Sequence, residues 1–248
     1  MKNNILLVLL TLSFFSSCSP QLSIGNTNYK NIKIKIDSLQ LNDEKTVKTI
    51  APYKFRLDSL MSEVLCYNNQ DLKKDLPEGT LGNFVCDELM MWSRRMRLAT
   101  VVDFCVYNNG GLRVGSIAKG NITVGKIFEL APFDNELVVV ALDGKYCKQL
   151  FDLMAQNNGA PCSKELRFDI ENNKAVNITI EGQPFDESKI YFILTNDYVA
   201  NGGDKTEPMK HANNIQSLHL MVRDALIKQL RGGQTKNAIL DGRIKQIK

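Results

Sequence analysis

Two stretches of this chain are too uniformly apolar to be strands with one face in water. Residues 100–107 (TVVDFCVY) and 136–142 (ELVVVAL) are near-continuous runs of β-branched and aliphatic side chains. Such runs are expected of strands buried on both faces, which need other layers of structure to cover them. Helical candidates supply the cover. Residues 80–96 place Leu81, Phe84, Val85, Leu89 and Trp92 on one side of a helix. Residues 43–65 have helical spacing with a kink or interruption expected at Pro52. Thr123 suits the N-cap of a short helix that Pro132 stops, and Asp143-Gly144 turns the second apolar strand into a helix over 146–155. A further amphipathic helix is expected over 215–230, ended by Gly232-Gly233.

The remaining strand signals are shorter. Residues 31–37 alternate Ile32, Ile34 and Ile36 with polar neighbours, 166–171 and 174–181 form a hairpin over Asn172-Asn173, and 191–196 is a third apolar run. Strands and helices that interleave, with a hairpin among them, predict an α/β fold on a mixed rather than purely parallel sheet. No linker divides the region, so one domain is expected over residues 31–248.

Two segments that close apolar runs carry the chemistry. YNNGGLRVGSI (107–117) and LTNDYVANGGD (194–204) each follow a predicted strand, where layered α/β folds commonly bind ligands. Gly110, Gly111, Gly202 and Gly203 permit close backbone approach of a ligand. Arg113 offers a planar fork for phosphate or ribose oxygens, Asp204 an acceptor for a ribose diol, and Asn108 an amide for a base edge. Phe133 and Tyr198, in loops beside these motifs, suit the two sides of a flat base.

Hydrolytic chemistry has no such signature. The two histidines, His211 and His219, lack a nearby carboxylate pair, and no Cys/His spacing suits a metal. The net charge of +4 is spread along the chain without a basic block, which gives no argument for nucleic-acid binding, and no nucleic-acid partner is expected. Cys66, Cys86 and Cys105 lie in apolar stretches and read as small buried hydrophobes, with a Cys147–Cys162 bridge left open. At the N-terminus, Lys2, an apolar run over 5–15 and Ser16-Ser17-Cys18 have the layout of a bacterial lipoprotein signal. A signal peptide over 1–17, a lipidated Cys18, a polar tether over 18–30 and an envelope location anchored to the membrane by lipid are therefore expected.

The order LGNFVCDEL (81–89), NNGGLR (108–113), GNITVGKIFELAPFDNEL (120–137), LDGKYCKQLFD (142–152) and YFILTNDYVANGGD (191–204) resembles the C-terminal domain of the 5′-nucleotidase family. The resemblance implies a layered α-β-β-α sandwich with a mixed sheet. It also implies a nucleoside pocket in which Phe133 and Tyr198 clamp the base. Asn108, Arg113 and Asp204 match base-, phosphate- or ribose-contacting positions. In that family a separate calcineurin-like domain holds two metal ions and performs hydrolysis, so the resemblance implies no catalytic residue, metal or cofactor in this chain. Two departures stand out: Pro77 precedes Glu78 where an arginine is frequent, and Lys205-Thr206-Glu207-Pro208 follows Asp204 in place of Gly-Tyr. The expected function is the nucleotide-recognition half of a split 5′-nucleotidase, with divalent metals and catalysis in a separate metallophosphatase. The alternatives are a non-enzymatic nucleoside- or nucleotide-binding lipoprotein for scavenging, and a domain kept for protein contacts alone.

Overall fold

The computed structural model describes residues 43–247. The expected signal peptide, Cys18, the expected tether and the strand expected at 31–37 lie outside them. Helix α1 (Glu44–Met61) leads to β1 (Val64–Asn68), β2 (Leu72–Lys73) and α2 (Thr80–Met96). Strands β3 (Phe104–Cys105), β4 (Ser116–Ile117) and β5 (Gly120–Thr123) precede α3 (Val124–Leu130), β6 (Glu136–Asp143) and α4 (Gly144–Gln156). Next come β7 (Leu166–Glu171), β8 (Lys174–Ile180), β9 (Gln183–Pro184), β10 (Ile190–Asn196) and α5 (Asp197–Ala200). The last elements are β11 (Asn214–Met221), α6 (Val222–Leu230) and β12 (Ile244–Gln246).

The central sheet has the order β11-β6-β10-β3. β6 is antiparallel to both its neighbours, and β10 runs parallel to β3. Residues 137–142 of β6 are all buried, and the period-two alternation of a strand divides them between two cores. Leu137 and Val139 face a core shared with α2 and α6. Val138, Val140 and Leu142 face the other, shared with α4 and with Phe168, Ile170 and Ala175 of the second sheet. That sheet, β12-β7-β8-β9, is also mixed, since β12 is parallel to β7 and β7 antiparallel to β8. The fold is therefore α/β with mixed sheets in layers, as the sequence predicts.

Local chemistry explains the element ends. In α2, Leu81, Phe84, Val85, Leu89 and Trp92 are buried as their spacing requires, each contributing about 1.5–3 kcal/mol by burial. α2 ends at Arg97 in the left-handed region. Thr123 does cap α3, its hydroxyl accepting from the Lys126 N–H at 3.3 Å.

Three expectations change. The helix expected over 43–65 runs through Pro52 but stops at Met61, and 64–68 pairs as a strand with β5. Of residues 100–107 only Phe104–Cys105 is regular strand, because β10 offers parallel register to these two residues alone and Val101 is exposed. Residues 215–230 are not one helix: 214–221 is an edge strand on β6 and only 222–230 is helical. Pairing with β6 overrides the helical spacing in the first half. The five described cysteines are free and buried. Burial pushes the Cys66 thiol up to about 11 and Cys147 up to about 12, so these groups are inert hydrophobes.

The C-terminal tail is tied down by buried charge. Arg243, 2% exposed, donates from both terminal nitrogens to Asp87 at 2.9 and 3.0 Å and from Nε to Asp241 at 3.0 Å. Glu78 accepts from the Asp241 and Gly242 N–H groups at 2.9 Å each.

Candidate functional site

Seven residues expected at a site, from three separate stretches of sequence, meet at one cavity of about 310 Å³. It is lined by Asn108, Gly110, Gly111, Arg113, Phe133, Asn135, Tyr198 and Asp204. The loop after β3 brings Asn108 to Arg113 and the α3–β6 loop brings Phe133 and Asn135; Tyr198, expected in a loop, stands in the short helix α5, and the segment after α5 brings Asp204.

A chain of hydrogen bonds fixes the polar wall. Asn196, at the end of β10, caps α5 by accepting from the Val199 N–H at 2.8 Å. Its amide donates to Asn108 Oδ1 at 3.1 Å, and Asn108 Nδ2 donates to Asp204 Oδ2 at 2.7 Å. The Tyr198 hydroxyl donates to Asp204 Oδ1 at 3.0 Å and accepts from the Asp204 N–H at 3.2 Å. Asp204 holds a left-handed conformation with φ 52°. Two of about four acceptor positions on its carboxylate are thus filled, leaving two for a ligand. Behind this wall, burial pushes the Tyr107 phenol well above its ordinary range, opposed by the Asn196 side chain.

This geometry alters two expected roles. Asn108 is buried and most of its amide is committed to Asp204 and Asn196, so it orients the carboxylate rather than presenting a free edge. Gly202 and Gly203 do not line the cavity. A Cβ on Gly203 would stand 2.4 Å from the Tyr198 ring, and one on Gly202, at φ 86°, would stand 2.3 Å from Lys210 Cε. Those glycines make room for the chain's own side chains, not for a ligand's approach. Asn135 is the residue that the sequence pattern does not single out. Its only signal is its place two residues after Phe133, and it lines the cavity.

The two rings have the exposure a clamp requires. Phe133 is 48% exposed and Tyr198 46%, although large aromatic side chains usually bury most of their surface. Arg113 is exposed, has no carboxylate partner among the described residues, and lies with Cζ 5.5 Å from the Phe133 ring centroid. An unpaired guanidinium, a carboxylate with free acceptor positions, amides and two half-bare rings suit a flat heterocycle carrying hydroxyls and an anionic group. Among the described residues no group of three or more His, Cys, Asp or Glu is placed to hold a metal ion.

Residues 61–211 match the family described as 5′-nucleotidase, C-terminal domain. The chain belongs to that family. Among curated relatives, it is 25% identical to a trifunctional nucleotide phosphoesterase of Bacillus subtilis, an alignment covering 90% of this chain and 17% of that protein. It is 26% identical to an NAD 5′-nucleotidase of Haemophilus influenzae, covering 69% of this chain and 32% of the relative. A 5′-nucleotidase precursor from Thermus thermophilus has a similar solved structure, with a TM-score of 0.68 and 28% identity over 83% of this chain and 43% of that one. The chain thus spans less than half the length of each of these relatives. Asn108, Tyr198 and Asp204 are held to one another by hydrogen bonds inside the matched region, whereas the Phe133 carbonyl accepts from Arg223 beyond it.

Proposed function

We propose that this chain recognises a nucleoside or nucleoside phosphate as one half of a split 5′-nucleotidase, with a separate metallophosphatase supplying the metals and the hydrolysis. The convergence of Asn108, Arg113, Phe133, Tyr198 and Asp204 on one cavity carries this assignment. The base lies between Phe133 and Tyr198, with the Asn135 amide reading its edge. Asp204, held by Asn108 and Tyr198, accepts from the ribose hydroxyls, and Arg113 meets the phosphate. Membership in the family and the names of the Bacillus subtilis and Haemophilus influenzae relatives, both nucleotide-directed, support the ligand class.

The test is calorimetric and enzymatic. The purified chain binds adenosine or AMP but releases no phosphate from AMP with any divalent metal, and release begins when a metallophosphatase partner is added. Metal-dependent phosphate release by the chain alone overturns the split arrangement. Binding without a metallophosphatase in a native pull-down turns the assignment towards a scavenging protein.

We extend the proposal to the envelope on the strength of residues 1–18. Palmitate labelling in growing bacteria is expected for the wild type and lost in Cys18→Ala; an unlabelled wild type rejects the anchor.

A further inference from the structure

The Phe133 loop is not held by the elements that flank it alone. Arg223, on the first turn of α6, reaches across to it with a side chain only 15% exposed. Nη1 donates to the Pro132 carbonyl at 3.3 Å and to the Phe133 carbonyl at 3.0 Å, and Nη2 donates to Asp134 Oδ1 at 2.5 Å. The guanidinium also lies over the Phe128 ring, with Cζ 5.1 Å from its centroid. One residue earlier, the Val222 N–H donates to the Asn135 carbonyl at 3.0 Å. The start of α6 therefore grips the backbone or side chain of each residue from Pro132 to Asn135, which include both cavity-lining groups of this loop.

The contacts differ in weight. Asp134 is 75% exposed, so its ion pair contributes little. The two carbonyl bonds come from a largely buried cation to adjacent peptide oxygens, and charge-assisted bonds of this kind are the stronger class. The planar fork matters here: a guanidinium meets three acceptors in fixed directions, which a lysine ammonium on a flexible stem does not reproduce.

We propose that Arg223 is a positioning residue for the base clamp, setting the orientation of Phe133 and Asn135 without touching the ligand. It rests on the nucleoside assignment made above for this cavity. Arg223 lies outside residues 61–211, the region matched by the family.

The test separates positioning from general stability. Arg223→Gln is expected to weaken adenosine binding about tenfold, comparable with losing a stacked ring. Ribose 5-phosphate, which has no base to clamp, binds within about twofold of wild type. Arg223→Lys restores part of the adenosine affinity. In a double-mutant cycle with Phe133→Ala, the two adenosine losses are less than additive, because Arg223 then has only Asn135 left to position. Without ligand, amide exchange of residues 133–135 quickens in Arg223→Gln while exchange in α2 and β6 stays as in wild type. Equal loss of adenosine and ribose 5-phosphate, additive effects in the cycle, or unchanged loop exchange overturns the proposal. If wild type binds no adenosine, the nucleoside assignment fails, and the exchange comparison still decides whether Arg223 pins the loop.

Discussion

Arg243 and Arg113 have the same side chain in opposite settings. Arg243 is 2% exposed and surrounded by Asp87, Asp241, Glu78 and the Cys162 carbonyl. Burial works against its charge, but the Asp87 and Asp241 carboxylates outweigh that and hold it firmly protonated. Arg113 stands exposed at the cavity and touches only the Phe133 ring among charged or aromatic partners in the described residues. A guanidinium whose donors are all engaged serves the fold. One whose fork is left unpaired beside a cavity is available to an anion.

Breaking the buried side of this comparison gives the largest effect. Arg243→Met leaves the Asp87 and Asp241 carboxylates without their shared cation and costs about 3–5 kcal/mol in urea unfolding. Arg113→Met is expected to leave stability within about 0.5 kcal/mol, as for an exposed surface position. Similar costs for the two would erase the distinction. In the cavity, Asp204→Ala removes the ribose acceptor and is expected to weaken AMP binding by about 1.5–3 kcal/mol, the range for a hydrogen bond to a charged group. Phe133→Ala follows at about 1–3 kcal/mol for a lost stacking face. Both are measured by calorimetry, and a Phe133→Ala protein that binds AMP as wild type does removes the clamp.

The same comparison explains what the sequence could reveal. Phe133 and Tyr198 were legible because each aromatic ring stands among polar residues beside one of the two glycine motifs or the proline stop before β6. The strand at 136–142 was legible because burial on both faces leaves no polar alternation. The edge strand 214–217 was not, since its pairing with residues 138–141 of β6 is a long-range choice, and the true helix beginning at Val222 lent its period to the whole stretch. β1 was hidden in the same way, its apolar residues continuing the pattern of α1 until β5 paired with them. Gly202 and Gly203 were singled out as points of ligand approach, but their surroundings depend on where Tyr198 and Lys210 turn, which spacing does not encode. Gly203→Ala tests this packing: displacing the ring should weaken AMP binding about fivefold, below the effect of deleting a stacking face. Unchanged binding would mean the ring has room to move.

The smallest effect lies in the pH dependence of the buried knot. Burial raises the Asp241 carboxyl, but hydrogen bonds and attraction from Arg243, joined by Arg167, outweigh it and hold the group below its ordinary value. A depressed carboxyl contributes its full stabilisation above the unfolded value of about 3.9 and loses it as pH falls through the lower folded value. Wild type should therefore lose stability on acidification from about pH 5 to pH 2 in part through this group. Asp241→Asn has already lost the ionised partner, so its stability should be lower at neutral pH and fall less steeply over the same interval. The gap between the two proteins should be small, because Asp241 is also partly open to water and screening weakens the pair. Parallel acid slopes for wild type and Asp241→Asn would show that the knot is held by Asp87 alone, and that Asp241 only fastens the tail to it.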